Sequence, residues 1–348
     1  MERFEVKDIN KETVTVYKSC FDSNNNHKKA ENIDWQFLQN TVKKAFVDIA
    51  IDKESQKTAA IYAVSGVKFK INDEDFLGTQ SLDTITDIDY RGQGLFIKLA
   101  KDVYEKAAKS NTALVYGFPN GSSIGGFKKK LEWQVLDPLP FLIKPLETKY
   151  FFSKIKGLSF LPNFSLSFSK FKNDKNYSLV NNFSFPTEVN ELWDKFSKNF
   201  KVGVKRDKEY LDWRYIDKPN ENYSIIHCYD LNGAFVGYIV YTVKEKHNGK
   251  IGYIMELIYD LDKPKVGSLL MNYAIDSIKK SKADCILSWC FDHSPNYRDY
   301  KKAFFLTMPE KFRPIELHFG VRSFNETLNE VIYNRENWYI SYSDSDTV

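Results

Sequence analysis

A chain of 348 residues that is 43% hydrophobic and 28% charged has apolar material for two ordinary domains, each with its own core. The formal net charge of +4 lacks the strong basic excess of a dedicated nucleic-acid binder, so no nucleic-acid partner is expected. Four scattered cysteines (Cys20, Cys228, Cys285 and Cys290) form neither a CxxC pair nor a Cys/His cluster of metal-binding spacing, which points to reduced thiols in a cytoplasmic protein and to no metal.

The opening stretch MERFEVKDINKE is charged and lacks the apolar core of a signal peptide. No apolar run approaches the roughly 20 residues of a membrane span. A soluble protein without membrane association is expected. The segment DWQFL (Asp34 to Leu38) is followed by a strand-like run, Ala45 to Asp52. A similar segment, DWRYI (Asp212 to Ile216), is followed by a similar run, Tyr223 to Asp230. Both pairs keep an offset of 178 residues, which marks an internal repeat.

In each copy a second apolar run follows, Thr58 to Ile71 and Ala234 to Lys246, then a further strand candidate, a loop, a helix pattern and a last strand. Leu95, Leu99, Val103 and Ala107 share one helical face in the first copy. Leu269, Leu270, Tyr273 and Ile278 do so in the second. The last strands are Ala113 to Phe118 and Cys285 to Cys290. Each half therefore reads as α/β, a central sheet flanked by helices.

Between strand and helix of the first copy lies YRGQGLF, Tyr90 to Phe96. Gly92 and Gly94 permit backbone conformations closed to other residues. A turn of this kind at a helix start leaves N–H groups pointing outward, beside the positive end of the helix dipole. It can seat a phosphate or pyrophosphate, and Arg91 can add a bidentate contact. A ligand-free strand-to-helix turn would have the same composition. No GK[ST] follows, so this is not a P-loop, and the third glycine of a dinucleotide fingerprint is absent. Between the halves, Lys149 to Asn173 alternates Phe with Lys and Ser. It reads as a connecting hairpin with its Phe side packed inward, or as a basic aromatic segment at a membrane surface.

From about Gln80 to Trp133 the sequence resembles the GNAT superfamily of acyl-CoA-dependent acyltransferases. Arg91-Gly92-Gln93-Gly94-Leu95-Phe96 matches the signature [Q/R]-x-x-G-x-[G/A] in all but its last place. Ala113 to Asn120 is similar to the fifth strand and following Asn of many members, and Ser122 to Trp133 to the next helix and its closing segment. The resemblance implies two GNAT-like units in tandem, each a mixed, mostly antiparallel sheet flanked by helices. The second is degenerate, since only Gly267 survives in DKPKVGSLL. The implied division is a GNAT domain over 1–146, an aromatic-rich connector over 147–185 and a degenerate domain over 186–348. Tandem chains of this kind occur among enzymes of bacterial surface polysaccharide synthesis.

The resemblance also implies a site. Acyl-CoA would be the co-substrate, its pyrophosphate held by backbone N–H groups around Arg91, Gly92, Gln93, Gly94, Leu95 and Phe96. The pantetheine arm would pass between the fourth and fifth strands, near Ile85, Asn120, Ser123 and Phe127. Phe96 departs from the usual small residue and implies a shifted helix start or a ring turned onto the sheet. An amine would attack the thioester directly, with Asp83, the carboxylate inside TQSLDTIT, as general base and Gln80 orienting the amine. Asp83 could instead be a strand-end cap or pair with a lysine. Asn120 would hold a pantetheine amide or a water, or simply close a turn. Phe127 stands where a tyrosine usually serves as general acid, which leaves Tyr116, a water or unaided thiolate departure. Trp213, Arg214 and Tyr215 could stack a base and pair a phosphate, although Trp213 could equally be core. His293 would line the other sheet's end. The acceptor implied is the amine of an amino sugar, in particular a nucleotide-linked one. Aminoacyl transfer to a cell-wall precursor and non-catalytic acyl-CoA binding are the alternatives. The oligomeric state is left open.

Overall fold

Long antiparallel strands dominate the computed structural model, which describes residues 3–153, 157, 160–166, 171–313 and 315–348. The strands are β1 (Phe4–Lys7), β2 (Ala45–Asp52), β3 (Thr58–Ile71), β4 (Glu74–Thr86), β5 (Leu114–Gly117), β6 (Gln134–Val135), β7 (Phe141–Pro145), β8 (Tyr177–Asn182), β9 (Val202–Val204), β10 (Ser224–Asp230), β11 (Phe235–Lys246), β12 (Gly249–Tyr259), β13 (Cys285–Trp289), β14 (Leu306–Thr307) and β15 (Gly320–Ser323). The helices are α1 (Val14–Ser23), α2 (Ala30–Ile33), α3 (Leu95–Lys109), α4 (Ile124–Lys130), α5 (Lys149–Ser153), α6 (Val189–Phe196), α7 (Lys208–Tyr215), α8 (Lys265–Lys280), α9 (Tyr297–Lys302) and α10 (Asn329–Ile332).

One sheet runs β1-β2-β3-β4-β5-β15-β6, with β9 also on β3. The other runs β14-β7-β13-β12-β11-β10-β8. In each, the meander is antiparallel until the crossover through the long helix, where β4 meets β5 and β12 meets β13 in parallel. The fold is the expected tandem of mixed, mostly antiparallel α/β units. Bulges recur at matching places, between Ala50 and Ile51 and between Cys228 and Tyr229.

β3 is buried along nearly its whole length because both faces are covered. Even positions such as Tyr62 and Val64 meet α3 through Leu99 and Val103. Odd positions such as Ile61 and Ala63 meet α1, and Val67 and Phe69 continue into a core shared with the second sheet. The two repeat tryptophans meet in that shared core. Trp35 and Trp213, 178 residues apart, stack at 4.4 Å between ring centroids. Each indole donates to the other's carbonyl, at 2.9 and 3.2 Å.

The sequence units interleave rather than sit side by side. β7, from the end of the first unit, pairs with β13 and β14 of the second sheet. β15, from the end of the chain, inserts between β5 and β6 of the first. In the connector, Phe151 and Phe171 pack inward, but Phe160 and Phe164 are exposed, so the expected one-sided burial of phenylalanines does not hold. Residues 154–156, 158–159 and 167–170 of that segment lie outside the described residues. Among the described residues no helix is long and apolar enough to cross a membrane, and no group of side chains has the spacing of a metal site.

Candidate active site

The glycine turn is built as an open cradle. Gly92 and Gly94 have φ of +79° and +74°, and Gly94 is the residue from which α3 starts. A Cβ at either glycine would meet nothing within 4 Å, so the space above the turn is free. Arg91, Gly92, Gln93 and Gly94 are exposed, and the first turn of α3 carries no acidic residue to compete for its N–H groups. Arg91 Nε lies 3.3 Å from the Thr86 carbonyl, which holds the guanidinium beside the turn. Leu95 is buried and anchors the helix start.

Phe96 accounts for its own presence. The helix begins at Leu95, directly after Gly94, so its start is not shifted. The Phe96 ring turns inward, 5.1 Å from the Phe127 ring and against Gly126, where a Cβ would lie 2.7 Å from it. The small residue needed for close packing has moved from the turn to α4. Phe127 itself is buried against Trp133 at 4.6 Å.

β4 and β5 pair only from Gly78 to Ser81 with Leu114 to Gly117, after which β4 continues to Thr86 paired with β3 only. The split this leaves runs from the turn toward the interior. A bulge sets Ser81 opposite Val64 but Asp83 opposite Ala63, leaving Leu82 as the extra residue. Asp87 N–H donates to Ala59 on β3 at 2.9 Å. Alternate residues of a strand aim alike, so Ile85 also aims its backbone at β3, while Thr84 and Thr86 aim at the open edge. The edge donor beside the split is therefore Thr84 N–H rather than that of Ile85.

The split gives onto a polar cleft of about 340 Å³ between the two units, lined by Lys28, Gln36, Gln80 and Leu82 on one side and by Trp213, Arg214, Lys218, Ser345 and Asp346 on the other. Asp83 is at its edge but already engaged: Tyr17 OH donates to it at 2.6 Å and Lys28 forms an ion pair with the same oxygen. Gln80 donates to the Asp344 carbonyl at 2.5 Å. Tyr116 lies in the shared core, 3.4 Å from Asp344, and burial pushes its hydroxyl well above the usual tyrosine range, with the charge of Asp344 adding to this. It is no ready proton donor. Asn120 caps its own turn, accepting from Ser122 N–H and Ser123 N–H at 3.1 Å each, while Ser123 Oγ donates back to the Asn120 carbonyl at 3.2 Å.

Of the three residues expected from the second unit's DWRY segment, Trp213 and Arg214 reach the cleft wall. Arg214 does so as an anchor, donating to the Ser343 and Ser345 carbonyls at 3.0 and 2.8 Å. Tyr215 is core, packed on Tyr223 at 5.0 Å, because it falls on the inward face of α7. His293 is not brought to the cleft. Its ring stacks on Phe291, Nε2 bonds the Trp338 carbonyl at 2.9 Å, and Nδ1 lies 3.0 Å from the Glu336 carboxylate.

What the sequence reading lacks is the segment after Tyr339. Arg206, fully buried, holds Asp344 at 2.7 Å and Glu256 at 2.8 Å, and a capping box from Ser341 to Asp344 closes the turn. Pinned in this way, the segment presents Asp346 to the cleft. Asp346 is exposed by area yet walled by protein, as a group on a cleft floor is. That enclosure, then the charge of Asp83, raises its carboxyl above the usual 3.8, against the opposing charge of Lys28. Nothing local in YSDSDTV marks this role, since it depends on pairing across the chain.

The second unit has no such cradle. Pro264 caps α8 with an ordinary helical backbone, and Gly267 is inside the helix, where a Cβ would strike Tyr259 and Asp299 at about 2.5 Å. The Asp299 carboxylate, fully buried, accepts from Ser268 Oγ at 2.6 Å and from Tyr259.

Residues 5–136 match the family described as acetyltransferase (GNAT) domain. No curated protein matches the chain by sequence. Among solved structures, Saccharomyces cerevisiae N-myristoyltransferase with bound myristoyl-CoA superposes with a TM-score of 0.63 at 12% identity, covering 92% of this chain and 83% of that one. A conserved Enterococcus faecalis V583 protein of unknown function, a probable N-acyltransferase, superposes with a TM-score of 0.61 at 12% identity, covering 92% and 72%. The fold is thus that of tandem GNAT-like units resembling N-myristoyltransferase. The matched domain supports an acyltransferase, and the neighbours show its fold.

Proposed function

We propose that the chain is an acyl-CoA-dependent N-acyltransferase that acts by direct attack of an acceptor amine on the thioester. The observation that carries this reading is the continuity of the open Gly92/Gly94 cradle, the β4/β5 split and the polar cleft. The CoA pyrophosphate would take the N–H groups of residues 92–96, with Arg91 beside it. The pantetheine would lie in the split, where Thr84 N–H can hold the thioester oxygen as it becomes an oxyanion. The amine nitrogen bonds to the carbonyl carbon, the C–S bond breaks, and the sulfur leaves as thiolate. The amine's proton passes to a carboxylate. Asp83, already bonded twice, serves better to hold Lys28 and tune its surroundings, and Asp346 is the base we assign.

The acceptor belongs to a polar class, because the cleft is walled by Lys28, Lys29, Arg214, Lys218 and Trp213. An amino sugar, in particular one linked to a nucleotide, suits these charges and the indole face. The test is calorimetric titration with acetyl-CoA and longer acyl-CoAs, on wild type and on Gly94→Asp. The aspartate strains a left-handed position and brings a negative charge to the cradle, so affinity should fall by more than about tenfold. A folded wild type that binds no acyl-CoA would overturn the reading. Turnover would then be screened across amino-sugar nucleotides.

A further inference from the structure

Away from the cleft, a second cavity of about 670 Å³ opens beneath the second sheet. Its walls are mostly apolar, with Ile143 from β7, Ile251 from β12, Leu287 from β13, and Met308 and Phe312 from the segment after β14, while His247 and Asn248 add polar groups. Its charged lining is all of one sign. Lys311 and Arg313 face it, and among the described residues no carboxylate does.

Arg313 is the unusual group. Its side chain is only 8% exposed, and its nearest carboxylate, on exposed Glu310, is 3.7 Å away. Among the described residues its Nε has no hydrogen-bond partner, and its guanidinium rests on the Phe141 ring at 5.0 Å. Of the five guanidinium donors the enclosed Nε one is unmade, and a buried N–H left unpaired is costly. An anion in the cavity would give this guanidinium a charged partner there.

We propose that this cavity is a binding site for an aliphatic carboxylate, a fatty acid whose chain fills the apolar chamber and whose head is taken by Arg313. The volume is within the roughly 300–1,000 Å³ of small-molecule sites, and a largely apolar chamber with a few placed polar groups is their usual composition. A carboxylate matches the guanidinium fork in two parallel bonds. The site lies outside the cradle and the cleft, and its occupation does not depend on the acyltransferase reading.

The experiment titrates the whole protein with laurate below its micelle concentration, and separately with dodecanol, which has the same chain and no charge. Laurate should bind wild type about tenfold or more tightly than dodecanol. Arg313→Gln should bring laurate down to the level of dodecanol. Met308→Trp, which fills the chamber, should weaken both. Dodecyl phosphate in a parallel titration separates a carboxylate site from a phosphate-headed lipid site, and tighter binding of the phosphate would overturn the assignment of the ligand. Equal binding of laurate and dodecanol by wild type, or no binding of either, would overturn the site without reliance on any variant. Acetyl-CoA titrated into the same samples should bind alike in wild type, Arg313→Gln and Met308→Trp.

Discussion

At the scale of single residues, the two carboxylates of the cleft have separable work. Asp83 is tied to Tyr17 and Lys28, while Asp346 stands on a pinned segment with its carboxyl raised by enclosure and by the charge of Asp83. If Asp346 takes the amine's proton, Asp346→Asn should lower kcat by about 100-fold while the affinity for acyl-CoA stays near wild type. The wild-type rate should fall at low pH as Asp346 takes up a proton. Asp83→Asn removes a charge that raises Asp346, so that acidic limb should move to lower pH. A pH–rate profile of wild type and Asp83→Asn checks this, and a limb that stays in place assigns the proton to another group. Phe96 shows the complementary lesson. A departure from the expected small residue is compensated at Gly126, which touches its ring.

At the scale of elements, local pattern carried far in the sequence. The turn at Gly92 and Gly94, the apolar face of α3 and the 178-residue repeat are each written in neighbouring residues or in a recurrence. The insertion of β15 between β5 and β6 and the transfer of β7 to the second sheet are not, since a short strand reads alike whichever sheet receives it. Asp346 and the Arg206 anchor are hidden for the same reason. One element pair also predicts a pH dependence. Asp48 on β2 is fully buried against α3, and burial, then a hydrogen bond shared with Asp102, push its carboxyl up to about 7 against the pull of Lys106. A folded value above the unfolded 3.8 means that the folded state binds the extra proton between these values. Its stabilising contribution is therefore full below about pH 4 and is lost as the pH rises toward 7. Asp48→Asn should flatten that decline. Thermal melts at pH 5 and pH 8 should show a larger gain for the variant at pH 8, and equal shifts at both would contradict the assignment.

At the scale of the whole molecule, the two units cannot be separated without unmaking both. Each sheet contains a strand from the other unit's part of the chain, and one apolar core runs between them. The stacked Trp35 and Trp213 close that core at the centre of the repeat. The buried Arg206 joins Val204, whose strand lies on the first sheet, to Glu256 on the second and to Asp344 in the cleft-forming segment. An arrangement in which each half completes the other should unfold as one unit, whereas two adjoining domains would unfold in two steps. Calorimetry should give a single transition whose van't Hoff and calorimetric enthalpies agree. Segments 1–146 and 186–348 expressed apart should each fail to fold, the first for want of β15 and β9, the second for want of β7. Two resolved transitions, or a cooperatively folded 1–146 fragment, would mean that the interleaved strands are dispensable. The acceptor cleft would then be a contact between independent domains instead of a product of their joint folding.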